Sequence, residues 1–150
     1  MMALQVIGTG LLIMFLTTVI QGAFMMAGAH VLEWRLEHHG PVRHPLLRAT
    51  VVSVLTLWMF LAIVVEVWMW ALLYLYNPLI TALPDLETAF YFSMVTFTTL
   101  GYGDITLAEE WRLASAFQAA NGVIIAGWST ALVIAVVQKI YNNRHSTRLD

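Results

Sequence analysis

The 150-residue sequence contains no cysteine, which excludes a disulfide framework, a thiolate metal site and a thiol nucleophile. Charge is scarce as well: Asp, Glu, Lys and Arg make up 11% of the residues and the net charge is -2, far below the roughly 25% charged residues of soluble domains. Lys and Arg form no run, so a nucleic acid finds no electrostatic footprint on this chain. The first apolar stretch holds no arginines, which excludes a charged voltage-sensing helix there. No paired carboxylates, metal-spaced histidines or activated Ser/His set falls inside the apolar stretches, and the chain is therefore expected to be no enzyme and to need no cofactor. Apolar residues are abundant, at 60% with a mean hydropathy of +0.77. Such a surface belongs in lipid.

The distribution of the few charges divides the chain. Residues 1–32 carry none, which exceeds the roughly 20 apolar residues that cross a bilayer as a helix. The Ala27, Gly28, Ala29 triplet has the small-residue pattern of a signal-peptide cleavage site, but no basic residue precedes the stretch and the stretch is too long for a signal peptide, so it reads as a retained helix. A polar connection over 33–48, with Glu33, Arg35, Glu37, His38, His39, Arg43, His44 and two prolines, reads as a short loop. Its three histidines and Glu37 match no metal-ligand spacing and read as solvated. A second span over 46–76 contains Glu66 and closes at Asn77 and Pro78. A third occupies 110–141, uncharged between Arg112 and Lys139, and a short basic tail over 142–150 follows. Most of the six tryptophans, including Trp34, Trp58, Trp68, Trp70 and Trp111, fall near span ends and read as interfacial anchors.

Between the second and third spans, 86–104 is too short to cross the membrane twice. A helix of about ten residues rises only about 15 Å, so the segment is expected to enter and return on one side. Irregular backbone at that depth is tolerated only where it is buried in protein or lines a wet cavity, because lipid satisfies no amide or carbonyl. Arg35, Arg43, Arg48, Lys139, Arg144 and Arg148 fall on one side of this three-span arrangement and Arg112 on the other. The positive-inside rule then sets the N-terminus and the re-entrant loop outside and the C-terminus in the cytoplasm.

The returning limb reads Thr98, Thr99, Leu100, Gly101, Tyr102, Gly103, Asp104. Glycine reaches positive φ without steric cost. If conformations of opposite hand alternate, successive carbonyls point to one side and form stacked rings of oxygen that replace the water shell of a bare cation. The preceding short helix directs its negative dipole end toward the membrane centre. At the outer mouth, Asp85, Glu87, Asp104, Glu109 and Glu110 outnumber Arg112 and attract cations.

Thr99 to Gly103 resembles the potassium-channel signature TxGYG, and the resemblance extends over 46–141. Tyr91, Phe92 and the stretch up to Thr98 resemble the aromatic and then Thr-rich pore helix of that family, and Trp111 stands at the family's distance after the aspartate. The resemblance implies an all-α membrane protein, a two-helix pore module with an additional N-terminal helix in 1–45, assembled as a homotetramer in a lipid bilayer. Small size and compact loops fit, by the same resemblance, a prokaryotic plasma membrane. It also implies that the carbonyls of Thr99, Leu100, Gly101 and Tyr102 and the Thr99 hydroxyl coordinate K+, that Gly103 completes the outer mouth, and that Asp104 braces the filter from behind with Tyr91 as its partner. Leu100 replaces the family's commoner valine, and Val95 stands where some relatives place a glutamate. The expected function is passive K+ conduction; a weakly selective cation channel, or a non-conducting accessory or scaffold subunit, is the alternative.

Four residues carry open readings. Glu66, inside the second span, is either a gating or pH-sensing acid or a structural one. Gly122 and Gly127 are each a candidate bend in the inner helix or a close-packing position, with packing favoured at Gly127. Asn121 either faces the pore or hydrogen-bonds a neighbouring subunit.

Overall fold

The computed structural model describes residues 2–40, 42 and 44–146, with side-chain surroundings for those of them from 3 to 140. Among the described residues four helices follow one another: α1 (Met2–His39), α2 (Pro45–Tyr76), α3 (Leu86–Phe97) and α4 (Arg112–Ser146). Three of them, α1, α2 and α4, are long and apolar enough to cross a membrane. Their outward faces keep large apolar side chains exposed, among them Leu4, Phe15, Val54, Phe60 and Ile134. A helix that is apolar all round suits lipid on one side and protein on the other.

The helix ends follow from local chemistry. Pro45 opens α2, where its missing N–H is no loss and its φ is already helical. At the far end Asn77 stops the helix: its side-chain oxygen accepts from the Leu79 amide at 3.0 Å and its carbonyl from the Ile80 amide at 3.0 Å. Asp85 caps α3 by accepting from the Thr88 amide at 2.8 Å and the Thr88 hydroxyl at 3.0 Å.

The boundaries differ from those expected at three places. The helix α1 continues to His39, so Glu33, Arg35, Glu37, His38 and His39 lie on helix, and α2 begins already at Pro45. Trp34 stacking on His38 at 4.8 Å and the His38 ring bonded to the Trp34 carbonyl at 2.8 Å continue the last turns. The third span starts at Arg112 rather than residue 110 and its helix runs on to Ser146, into the stretch expected to be tail. Trp70 and Trp111 are core residues, 0% and 6% exposed, instead of interfacial anchors. Arg43 and Arg148 lie outside the described residues, and the Arg144 side chain is likewise outside them.

Two packed zones hold the helices together. The larger joins Trp70 and Tyr74 of α2, Phe92 and Phe97 of α3, Trp111 in the turn just before α4, and Ile125 of α4. Tyr74 meets Phe92 edge-on with ring centroids 5.5 Å apart and lies 5.9 Å from the Trp70 ring, contacts worth about 0.5–1.5 kcal/mol each beyond burial. The smaller zone, with Leu32, Leu55 and Val136, joins α1, α2 and α4 near the opposite end.

α1 runs parallel to α4. Asn121 donates to the Thr17 hydroxyl at 2.7 Å, Gln21 donates to the Ser129 hydroxyl at 2.8 Å, and Lys139 pairs with Glu33 at 2.9 Å. Between apolar helices, buried polar pairs such as the first two supply part of the attraction that hydrophobicity supplies in water, and the Lys139–Glu33 pair is solvent-exposed.

Candidate functional site

α3 is 12 residues long, about 18 Å at 1.5 Å per residue, too short to cross a membrane. It packs between α2 and α4. Its C-terminal turn meets α4 at Gly122, where a Cβ would be driven into the Phe97 carbonyl. Gly122 is ten residues beyond Arg112, the start of α4, about 15 Å along that helix. The negative end of the α3 dipole is thus aimed at mid-depth in the bundle.

A buried polar bridge fixes that depth. Gln118 of α4 donates to the Ser93 carbonyl at 3.2 Å and the Ser93 hydroxyl at 2.9 Å, and accepts from the Tyr74 hydroxyl at 3.0 Å. Three helices are joined through one amide, with Ser93, Gln118 and Tyr74 all fully buried. None of the three stood out in the sequence as a site residue. The signal was there, since an uncharged polar side chain inside a span needs a partner, but its partner's identity is a property of the fold.

Past α3 the chain turns back sharply. The Thr98 hydroxyl caps the helix on the Met94 carbonyl at 2.8 Å, and the amides of Leu100 and Gly101 both donate to the Val95 carbonyl, at 3.0 and 3.2 Å. Val95 therefore supports the turn through its backbone, whatever its side chain. Beyond it φ is positive at every second residue: 59° at Thr99, 55° at Gly101 and 77° at Gly103. Among the described residues Thr99 is the only one other than glycine with positive φ, and a β-branched side chain there is a genuine outlier. Such strain costs about 1–3 kcal/mol and persists where the surroundings enforce it, often at functional positions.

The outer end of this segment is tied to the helix before it. The Tyr91 hydroxyl donates to an Asp104 carboxylate oxygen at 2.7 Å, the pairing expected from the sequence. Leu100 and Tyr102 project outward, 56% and 65% exposed. A cleft of about 420 Å³ lies between the segment and α4, with Thr99, Gly101 and Gly103 on one wall and Ser115 and Ala119 on the other. The acids Asp85, Glu87, Glu109 and Glu110 are all exposed at this end. Accepting from Thr88 holds the Asp85 carboxyl below the usual carboxylate range. Arg112 approaches Glu109 at 3.8 Å, with both side chains solvated.

The remaining singled-out residues fall elsewhere. Asn121 is fully buried and spends its amide on Thr17 of its own chain, so the expectation of a pore-facing or intersubunit Asn121 gives way to an α1 contact. Gly122 is the close-packing position and Gly127 has open space around it, the reverse of the expected preference. Glu66 is fully buried on α2 with neither carboxylate oxygen hydrogen-bonded. Phe24 and Trp58 pair α1 with α2, and two further turns along α2 bring Glu66 to the level of Thr17 and Gln21. Among the described residues no group of His, Asp and Glu is arranged to hold a metal ion.

Searches of curated proteins and of solved structures returned no match for the chain. A family model described as ion channel matches residues 53–139, which takes in most of α2, all of α3 with its returning limb, and α4 as far as Lys139. That is more than half of the sequence, and the chain belongs to this ion channel family.

Proposed function

We propose that the chain is one subunit of a potassium-selective channel, in which residues 99–103 form one limb of the filter and four copies close around an axis. The observation that carries this reading is the alternation of positive φ at Thr99, Gly101 and Gly103, directly beyond a half-length helix whose negative end points to mid-depth. Opposite-handed conformations in succession are what allow consecutive carbonyls to share one side, and rings of such oxygens replace the hydration shell of K+. The Thr99 hydroxyl and the carbonyls of Thr99, Leu100, Gly101 and Tyr102 are the proposed ligands, with Gly103 at the outer mouth.

Exposure supports the assembly. One chain leaves Leu100 and Tyr102 more than half exposed beside an open cleft, and large side chains standing free next to an unfilled groove are what a neighbouring subunit covers. Asp104 bonded to Tyr91 braces the limb from outside the ion path. The exposed acids at that end raise the local cation concentration and repel anions.

Charge distribution sets the orientation of this reading. Arg35, Arg48 and Lys139 sit at one end of the bundle and Arg112 at the other, so the basic end faces the cytoplasm, the filter opens outward, and the N-terminus is outside. A prokaryotic plasma membrane is the proposed location.

The test is ion flux into liposomes containing the purified protein, with a potassium or a sodium gradient and barium as a potassium-sized divalent blocker. Barium-sensitive flux that prefers potassium and disappears in Gly101→Ala is expected. Equal sodium flux would replace the proposal with an unselective channel, and no flux with an accessory or scaffold subunit.

A further inference from the structure

At the basic end of the bundle α1 and α2 diverge and leave a cleft of about 440 Å³. Gly28 and Val31 of α1 form one wall, Val54 and Trp58 of α2 the other, and Val136 of α4 the floor. The lining positions of each helix recur at helical spacing, so one face of each is turned to the cleft. The deep end is closed where the Trp58 indole N–H donates to the Phe24 carbonyl at 2.9 Å and the two rings lie 4.8 Å apart. From Gly28 the cleft extends along α1 to Arg35, about 10 Å of axial rise.

Among the described residues Arg35 is the only charged side chain in this lining. Among the described residues its solvent-shielded Nη1 has no hydrogen-bond partner and no carboxylate lies within ion-pair distance of it, Glu33 being occupied by Lys139. The nearby Thr50 hydroxyl is committed to the Leu46 carbonyl at 3.0 Å. Trp34, half exposed beside Arg35, and Lys139 mark the level as interfacial. The Arg35 side chain as a whole is only partly buried, and its planar guanidinium matches phosphate oxygens, while an apolar trough running from it toward the bilayer interior matches a hydrocarbon chain.

We propose that this cleft binds one anionic phospholipid per chain, an acyl chain along the apolar walls and the phosphate against Arg35. The additional helix α1 thereby builds a lipid site that α2 and α4 alone would lack. Basic positions between membrane helices select anionic head groups over zwitterionic ones, whose own cation offsets the phosphate.

The full-length protein, purified in mild detergent and titrated with phosphatidylglycerol or phosphatidylcholine, is read by native mass spectrometry. Retention of up to one phosphatidylglycerol per chain is expected, with phosphatidylcholine weaker by about fivefold, the factor one basic side chain contributes near an anionic head group. Arg35→Gln should abolish the preference, Arg35→Lys should retain most of it, and Val54→Trp should fill the cleft and reduce retention of both lipids. The oligomer mass in the same spectra separates a folded variant from an unfolded one. Equal retention of the two lipids, an unchanged preference in Arg35→Gln, or unchanged retention in Val54→Trp would overturn the proposal. So would displacement by millimolar inorganic phosphate, which would indicate a free-anion site, or retention of neither lipid, which would indicate a face covered by a second copy. None of these outcomes depends on which ion the channel conducts.

Discussion

Thr99 holds a β-branched side chain at φ 59° and Gly101 follows at 55°, so the backbone, joined by the one hydroxyl of Thr99, carries the chemistry proposed for this segment. A Cβ at Gly101 meets nothing closer than the Thr99 carbonyl oxygen at 4.0 Å. The cost of Gly101→Ala is therefore conformational, about 1–2 kcal/mol for a left-handed residue, and the expected result is an assembled protein that has lost conduction. Size-exclusion chromatography beside the flux assay distinguishes this from general misfolding. Gly122 behaves differently because its Cβ would collide with rigid backbone at Phe97. Gly122→Ala should lower stability by about 1–3 kcal/mol, the range for overpacking, whereas Gly127→Ala should be nearly neutral; thermal unfolding of the two variants in detergent decides it. An equal response would contradict the packing described. The glycine-tyrosine-glycine pattern was legible in the sequence because it is contiguous. Which inner-helix glycine packs was not, because both lie within the same span and only the position of α3 distinguishes them.

The helices show the same division between what is contiguous and what is not. Three apolar stretches and one half-length helix were readable from charge spacing. The continuation of α1 to His39 was missed because charged residues at a helix end look like loop composition, and Trp70 was misjudged because proximity to a span end says nothing about which face it occupies. Thr17 and Gln21, unremarked in a long apolar run, prove to be the residues that attach α1 to α4. A double-mutant cycle on Thr17→Ala and Asn121→Ala should give a coupling of about 0.6 kcal/mol, the mean for buried pairs between membrane helices. A coupling of zero in unfolding measurements would remove that contact from the account. At the start of α3, Asp85 was legible as surface charge but not as a cap. Its folded carboxyl titrates below the usual range through its bonds to Thr88, so its stabilisation is present above the unfolded carboxylate value near 4 and is lost as pH falls through the lower folded value. Asp85→Asn keeps a good capping residue and should flatten the part of the acid destabilisation that this group contributes, measured as thermal stability between pH ~6 and ~3.

For the molecule as a whole, family membership establishes an ion channel, and the geometry of the returning limb is what the proposed assembly of several chains is built on. α2 and α4 hold α3 at mid-depth through the Gln118 bridge, α3 sets the start and direction of the returning limb, and Leu100 and Tyr102 remain exposed, where the proposed assembly would seat neighbouring copies. The number of copies is not encoded in any single residue, because one limb is compatible with any closed ring; four is what the resemblance of the 99–103 segment implies. Selectivity is the claim on which the rest depends. The most direct measurement is the reversal potential of the reconstituted protein in a planar bilayer with potassium chloride on one side and sodium chloride on the other. The account predicts a reversal potential displaced strongly in the direction that marks potassium as the permeant ion, and a potential near zero would contradict it.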